Sequence, residues 1–337
     1  VGSNTMNKRY KRQTCLPSVG KSGQAVLQAS EILVVGVGGL GAPVLQYLVA
    51  AGVGKVTIVD GDTVNLSNLQ RQTLFRESDV GKLKVIVAEK TLRALNTNCV
   101  IETSEVPLDP ENAKNLVENS NLVLDCADSF ATSYILSDTC KTLNVPLISA
   151  SALEFEGYVG GFCHTAPSLR AVFPDLPERA GTCETLGVMG PVVGLIGAAQ
   201  AQMALAYLIR QRPSPLGQFI CFDLKNFRCR EFRFDNAPDP NPDLTFIAEA
   251  EITKSDFVID LREKTEVKTL VAKNARRVNL ADFTEQKLLP DAGQRAVFAC
   301  RSGLRAWQAA TKLRSYWNGK INLIAMGSAP KKERKKI

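Results

Sequence analysis

Histidine is almost absent from this chain of 337 residues, which contains one, His164. A single histidine excludes a Ser-His-Asp triad elsewhere in the chain and most histidine-rich metal sites. The nine cysteines do not replace it, because no two of them stand in the C-x-x-C spacing of a zinc knuckle. Since the sequence has no secretion signal, we expect these cysteines to be free thiols.

Long apolar runs are also scarce. No stretch reaches the roughly 18 apolar residues that a membrane helix requires, and the N-terminus lacks the apolar core of a signal peptide. A composition of 45% hydrophobic and 22% charged residues is typical of soluble globular proteins. We therefore expect a cytoplasmic protein with no membrane partner.

The net charge of +7 has a local source, because the basic tail at residues 331–337 supplies several of the positive charges. A terminal run of this kind is most simply a solvated end. No basic stripe with interleaved aromatic residues accompanies it, which disfavours a nucleic-acid partner.

The first part of the chain has the pattern of a parallel α/β sheet. A β-branched run at Glu31–Val35 leads into the glycine turn Gly36–Gly41, a helical stretch at Pro43–Ala51 and a second apolar run at Lys55–Asp60. Strand, turn, helix and strand in this order form a βαβ unit. Residues 1–235 are therefore predicted to form a doubly wound, Rossmann-like and mostly parallel sheet domain. Its further strands are predicted at Val100–Thr103, Leu122–Asp125 and Pro146–Ser149.

The end of this domain and the rest of the chain are less regular. A glycine-spaced apolar segment at Val188–Arg210 predicts a buried helix. Three prolines in a polar context then indicate a linker at 236–248. Beyond it we predict a second, small α/β domain at 249–330. The remaining predicted strands are an antiparallel pair at Phe219–Asp223 and Arg228–Phe234, followed by Phe257–Asp260 and Ala296–Cys300 of the second domain.

The glycine turn predicts a site for a nucleotide phosphate. Its glycines let the backbone approach a phosphate, and the N-terminus of the following helix directs partial positive charge at it. Asp60 ends the next strand and is placed to accept hydrogen bonds from ribose hydroxyls. On these residues alone, an NAD-dependent oxidoreductase or a purely structural tight turn fits as well.

The residues after the second strand distinguish these alternatives. The segment Asp62–Gln72 is dense in hydrogen-bonding side chains, where a dehydrogenase usually begins an ordinary helix. Lys84 adds a cation, and Asp128 lies at the carboxyl edge of a strand, where ligands bind in open α/β sheets. From Arg9 to about Phe234 the chain resembles the ThiF/MoeB/HesA family, the bacterial relatives of ubiquitin-activating enzymes. The matching motifs are Arg9–Gln13, Gly36–Gly41, Asp62–Gln72, Val80–Lys84 and Asp125–Asp128.

The resemblance implies ATP and Mg²⁺ as cofactors and the adenylation of a carboxylate. Attack on the α-phosphate develops charge that cations must neutralise. Arg71 and Lys84 are implied to contact the phosphates, while Arg12 reaches in from the other subunit of a homodimer. Asp128 is implied to hold Mg²⁺. The residues implied to bind the nucleotide are Gly36, Gly38, Gly39, Gly41, Asp60, Asp62, Asn68 and Gln72.

The sequence departs from this family at its zinc site. Members usually have two C-x-x-C pairs, but Ser168 and Ala171 stand at the first pair here, and the proline-rich linker occupies the region of the second. Tetrahedral thiolate ligation cannot be assembled from these residues. We therefore predict no zinc and expect packing to hold this edge of the fold.

Two cysteines are candidates for carrying an acyl group or sulfur. Cys183 falls where the family keeps a cysteine on a mobile crossover loop, which some members link covalently to the activated carrier; an inert residue fits the sequence equally well. The segment Cys300–Ala306 resembles the active loop of a rhodanese domain, and Val258–Glu263 resembles that domain's opening strand. Backbone N–H groups with Arg301 and Arg305 nearby predict a persulfide site at Cys300.

We therefore predict an enzyme that adenylates the C-terminal glycine of a ubiquitin-like sulfur carrier protein ending in Gly-Gly. Cys300 would then pass on sulfur received from a persulfide donor protein. The segment Gly187–Gly194 is slightly closer to ThiF, which favours a ThiS-like carrier of thiamine biosynthesis over a MoaD-like one. The alternatives are the same adenylation in a molybdopterin or tRNA-thiolation pathway with a non-catalytic C-terminal domain and, less favoured, an NAD-dependent oxidoreductase.

Overall fold

The computed structural model describes residues 8–176, 186–286 and 288–327. Its larger sheet has eight strands in the order β3-β2-β1-β4-β5-β6-β7-β8. The first five strands in this order are parallel and the last three are antiparallel. The strands are β1 (Glu31–Val35), β2 (Lys55–Val59), β3 (Val100–Ser104), β4 (Leu122–Asp125), β5 (Leu147–Leu153), β6 (Glu156–Phe162), β7 (Gln218–Asp223) and β8 (Arg228–Arg233). The prediction of a doubly wound, mostly parallel sheet is confirmed.

Helices cover both faces of this sheet. They are α1 (Lys11–Thr14), α2 (Gly20–Ala29), α3 (Gly41–Ala51), α4 (Lys84–Leu95), α5 (Ala113–Val117), α6 (Phe130–Leu143) and α7 (Gly190–Leu208). Alternate residues of β1 enter different cores: Ile32 and Val34 pack with α3, α4 and α7, while Leu33 and Val35 pack with α5 and α6. The strand is apolar throughout because both of its faces are buried.

Among the described residues, helix α7 alone is long and apolar enough to cross a membrane, judged by length and composition. This corrects the expectation that no apolar segment reaches that length. Half of its most apolar window is buried inside the protein, where the helix packs on α3, β5 and β6.

A second sheet of five parallel strands has the order β11-β10-β12-β13-β9. Its elements are β9 (Leu244–Phe246), β10 (Phe257–Asp260), β11 (Arg276–Arg277), α8 (Leu280–Gln286), β12 (Ala296–Cys300), α9 (Leu304–Arg314) and β13 (Ile321–Ala325). Strand β9 lies within the segment 236–248 that the sequence assigned to a linker. That assignment is corrected, because Leu244 and Phe246 are buried and Leu244 pairs in register with Ile321.

The two sheets share a continuous hydrophobic cluster on the α6 side. The rings of Tyr134 on α6 and Trp307 on α9 lie 5.3 Å apart. The Arg170 guanidinium lies 4.7 Å from the centre of the Tyr134 ring and donates a hydrogen bond of 3.0 Å to the carbonyl of Leu244. The second sheet is therefore packed against α6.

Candidate active site

The glycine turn after β1 is tightly packed against its neighbours. Gly36 has a φ of +97°, and a Cβ atom there would lie 2.6 Å from the carbonyl oxygen of Cys126. Only glycine fits a position with both a left-handed backbone and such a close approach. Asp60 fixes the other side of the turn, because its carboxylate accepts hydrogen bonds from the backbone N–H groups of Val37 at 2.7 Å and Asp62 at 2.8 Å.

The middle of the turn is open. A Cβ at Gly38 would meet only the Gln72 side-chain amide, 3.8 Å away. Gln72 is 3% exposed, and its Oε1 atom has no hydrogen-bond partner among the described residues. The Gln72 atom that borders the open turn is Nε2, a donor that suits a phosphate oxygen.

The segment between Asp62 and Gln72 forms a compact capped turn. A short 3₁₀ helix spans Leu66–Asn68. Asn65 accepts a hydrogen bond from the Ser67 N–H at 3.0 Å, and Asn68 Oδ1 accepts one from the Asn65 N–H at 3.3 Å. Arg71 donates to the Ser67 carbonyl at 3.2 Å. The polar side chains predicted to bind the nucleotide therefore also fix the turn that carries them.

Lys84 brings a buried positive charge to the end of β2. It is the first residue of α4, and its Nζ lies 3.0 Å from Asp62 Oδ2. Burial raises the pKa of Asp60, while the positive charge of Lys84 opposes that rise. The structure thus brings Asp60, Asp62 and Lys84 together next to the end of β2.

Asp128 is exposed three residues beyond the end of β4. The residue that ends the strand, Asp125, is fully buried and accepts hydrogen bonds from Ser149 Oγ at 2.8 Å and from the Ala127 N–H at 3.1 Å. Burial raises the pKa of Asp125 to about 6. Sequence reasoning gave Asp125 no role of its own; its position at the start of the Asp125–Asp128 motif was the available signal.

The described residues contain no group of three or more His, Cys, Asp or Glu side chains that could hold a metal ion. This is compatible with Mg²⁺, which proteins usually bind through one or two carboxylates while the substrate phosphates and water complete the shell. Asp128 is an exposed carboxylate at this edge of the sheet.

Arg12 lies away from the glycine turn of its own chain. It is exposed on α1, whose Gln13 donates a hydrogen bond to the carbonyl of Ala51 at the far end of α3. The eleven residues of α3 separate that end from the turn by about 15 Å. This position is compatible with the prediction that Arg12 serves another subunit, which stays a prediction.

Hydrogen bonds connect the two segments where the family's zinc ligands would stand. Ser168 donates to Asp239 from its N–H at 3.0 Å and from its Oγ at 2.6 Å, and Lys141 Nζ lies 3.1 Å from the same carboxylate. Ala171 lies in a short 3₁₀ helix, Leu169–Ala171. The expectation that packing alone holds this edge is therefore incomplete, because a polar Ser–Asp–Lys cluster contributes.

Cys300 is fully buried at the end of β12. Its Sγ accepts hydrogen bonds from the N–H groups of Gly303 at 3.1 Å and Ala306 at 3.3 Å, which form the predicted nest. Burial nevertheless raises the pKa of the thiol, and these N–H groups and Arg305 offset it only in part. Arg305 itself is paired with Glu266 at 2.6 Å. The other candidate thiol, Cys183, lies outside the described residues.

Residues 10–244 match the ThiF family. The chain belongs to that family. The predictions of the ThiF-type family and of its fold are thereby confirmed.

Two of three curated relatives compared with this ThiF-family chain are named adenylyltransferases, and the third is named an activating enzyme. The chain is 39% identical to "Adenylyltransferase and sulfurtransferase MOCS3" of Xenopus laevis over 71% of its own length and 55% of that protein's. It is 36% identical to "SAMP-activating enzyme E1" of Haloferax volcanii, with 70% and 88% covered, and 40% identical to "Sulfur carrier protein adenylyltransferase" of Thermus thermophilus, with 64% and 82% covered. The match therefore spans about half of the MOCS3 protein. These names agree with the predicted enzyme class.

Solved structures confirm the fold at lower sequence identity. PaaA has a TM-score of 0.59 at 25% identity, with 69% of this chain and 75% of that chain covered. Escherichia coli MccB, in the complex with MccA-N7isoASN, has a TM-score of 0.61 at 20% identity, with 69% and 72% covered.

Proposed function

We propose that this protein uses ATP to adenylate the C-terminal glycine carboxylate of a ubiquitin-like sulfur carrier protein. The open turn at Gly38, bordered by the Gln72 Nε2 donor and followed by the buried ammonium group of Lys84, is the observation that supports it most directly. A nucleotide in the turn would meet Lys84 on the β2 side and Asp128 on the β4 side. The alternative that the protein is an NAD-dependent oxidoreductase does not account for these polar groups. The names of the relatives favour adenylation.

The proposed chemistry follows from the charges at this edge of the sheet. A carboxylate oxygen of the carrier attacks the α-phosphorus, the bond to the β-phosphate oxygen breaks, and pyrophosphate leaves. Lys84 and Arg71 stabilise the negative charge that develops on the phosphates. Mg²⁺, held by Asp128 when bound, would neutralise further phosphate charge.

We further propose the finer assignments made from the sequence. The carrier is ThiS-like and ends in Gly-Gly, the enzyme is a cytoplasmic homodimer, and Arg12 completes the partner's site. The relatives support a sulfur carrier as substrate class, since one of them is named for it.

The second sheet is proposed to be a rhodanese-like domain that handles sulfur. The terminal sulfur of a Cys300 persulfide would attack the acyl carbon and displace AMP. A thiol of the persulfide donor protein would then attack the Cys300 sulfur of the resulting acyl disulfide, which releases the thiocarboxylate and leaves a disulfide between Cys300 and that thiol. Because Cys300 is buried and a Cβ at Gly303 would lie 2.9 Å from Phe246 and 3.0 Å from Ala131, this step requires the loop to open.

The burial of Cys300 also supports the alternative of a non-catalytic second domain, with adenylation serving a molybdopterin or tRNA-thiolation pathway. Single-turnover transfer from a persulfide donor distinguishes the two. Cys300→Ala abolishes thiocarboxylate formation if the cysteine carries sulfur and leaves it unchanged if the domain only packs.

ATP–pyrophosphate exchange tests the adenylation itself. We expect exchange with a Gly-Gly-ended carrier in the presence of Mg²⁺. Absence of exchange with ThiS-like and MoaD-like carriers alike would refute the proposal.

A further inference from the structure

Gln200 is a polar residue at the centre of the apolar helix α7 and is fully buried. Ile196, Ala201 and Ala204 around it are buried apolar residues of the same helix. A buried amide is retained at low cost only when its polar atoms are hydrogen-bonded. The hydrogen-bond partners of Gln200 therefore indicate which part of the structure this side chain stabilises.

These contacts are made at the carboxyl end of β4 and at Ile148, the second residue of β5. The Nε2 atom donates hydrogen bonds to the carbonyl oxygens of Asp125 at 2.7 Å and Ile148 at 3.0 Å. The Oε1 atom accepts a hydrogen bond from the Cys126 thiol at 3.3 Å. One side chain thus fixes the end of β4, three residues before Asp128.

The peptide that Gln200 holds lies between the glycine turn and Asp128. The Cys126 N–H donates to the carbonyl of Val35 at 2.8 Å, and the Cys126 carbonyl oxygen would lie 2.6 Å from a Cβ at Gly36. A shift of this peptide would therefore change the distance between the turn and the Asp128 carboxylate.

The same helix also contacts the other parts of the site. A Cβ at Gly190, the first residue of α7, would lie 2.6 Å from the carbonyl oxygen of Gln70. A Cβ at Gly39 would lie 3.1 Å from the Val193 side chain. Helix α7 therefore touches the turn, the segment Asp62–Gln72 and the end of β4.

We propose that Gln200 is a positioning residue for adenylation, which sets the Asp128 carboxylate relative to the glycine turn through the backbone of Asp125 and Cys126. It touches neither ATP nor the carrier. This inference rests on the proposed function.

Gln200→Met separates the hydrogen bonds of the amide from its packing, because methionine is unbranched, of similar length, and cannot donate to the two carbonyls. Ile196→Val is the matched control, since Ile196 is fully buried one turn earlier on the same helix. We expect Gln200→Met to lower the kcat of ATP–pyrophosphate exchange about 100-fold, with KM for ATP changed less than about threefold. Ile196→Val should retain kcat within about twofold of the unsubstituted protein.

A second readout needs no carrier protein. Bound nucleotide raises the thermal unfolding midpoint, and the gain with Mg²⁺ and ATP should exceed the gain with ATP and a chelator. The unsubstituted protein and Ile196→Val should show this difference, and Gln200→Met should lose it.

The inference is overturned if Gln200→Met retains both the exchange rate and the Mg²⁺-dependent gain. It is also overturned if Gln200→Met and Ile196→Val lose activity equally. If no carrier supports exchange but the Mg²⁺-dependent gain still separates the two variants, the proposed function fails and the positioning role stands.

Discussion

Lys84 is the cation that the structure places most firmly at the candidate site. Its side chain is 8% exposed, whereas that of its partner Asp62 is 66% exposed. A buried ammonium group with a solvated partner can turn towards a phosphate without leaving a second charge buried and unpaired. The ion pair therefore fits the resting state of a phosphate-binding lysine.

Lys84→Gln should lower the rate of ATP–pyrophosphate exchange by about 100-fold or more, because the negative charge that develops on the phosphates loses a cation. Lys82→Gln is the matched control, since Lys82 is an exposed lysine two residues earlier that pairs with Asp79. Equal rates for the two variants would contradict the role of Lys84.

Asp125 should make stability depend on pH. Its pKa rises from 3.8 to about 6 on burial, so the folded state binds a proton more tightly than the unfolded state. Stability from this group is therefore present below about pH 4 and is lost as the pH rises to about 6. The two-unit rise corresponds to about 3 kcal/mol.

Denaturant titrations of the unsubstituted protein and of Asp125→Asn measure this effect directly. The unfolding free energy of the unsubstituted protein, relative to that of the variant, should fall by about 3 kcal/mol between pH 4 and pH 6. A difference that does not change with pH would show that Asp125 does not titrate as expected.

Residues in contiguous motifs could be predicted from the sequence. Asp60 and Asp62 follow β2 directly and Lys84 begins the next helix, α4, so their positions along the chain indicate that they lie close together. Gln200 could not be predicted in this way, because its partners Asp125 and Ile148 lie 75 and 52 residues away and are recognised through backbone carbonyls, which every residue has.

Helices and strands were predicted best where apolar patterning is long. Seven of the eight strands of the first sheet and helix α7 fall where the sequence places them, whereas β6 (Glu156–Phe162) was not predicted. Strand β9 was missed because three residues among prolines are too short to reveal alternation, and it is stabilised by pairing with the distant β13. The packing of the second sheet on α6 could not be predicted either, because residues far apart in the sequence, such as Tyr134 and Trp307, make this contact.

Arg170 connects these elements. Its guanidinium makes two hydrogen bonds of 2.7 Å to Asp138 on α6 and one to the carbonyl of Leu244 in β9. Arg170→Met should lower the free energy of unfolding by about 3 kcal/mol, because Arg170 is buried and its loss leaves a half-buried carboxylate unpaired.

Urea denaturation monitored by Trp fluorescence measures this loss. Arg93→Met is the control, since Arg93 pairs with Glu89 on an exposed helix surface and should cost less than about 1 kcal/mol. A similar loss in both variants would mean that Arg170 does not stabilise the contact between the sheets.

The whole molecule is proposed to act as a homodimer in which Arg12 completes the partner's site. Arg12→Ala and Lys84→Gln homodimers should each be nearly inactive. In a randomly reassembled mixture, half of the dimers contain both chains, and each of these has one site without a substitution. The mixture should therefore recover about a quarter of the original exchange activity. No recovery in a mixture shown to contain heterodimers would place Arg12 in its own subunit's site or outside any site.

The most direct test of the central claim is mass spectrometry of a Gly-Gly-ended sulfur carrier incubated with this protein, ATP and Mg²⁺. We predict a carrier that gains one AMP group at its terminal glycine, and no gain by the same carrier without that glycine. An AMP group on both carriers, or on neither, would contradict the assignment of this site to the adenylation of a carrier's terminal carboxylate.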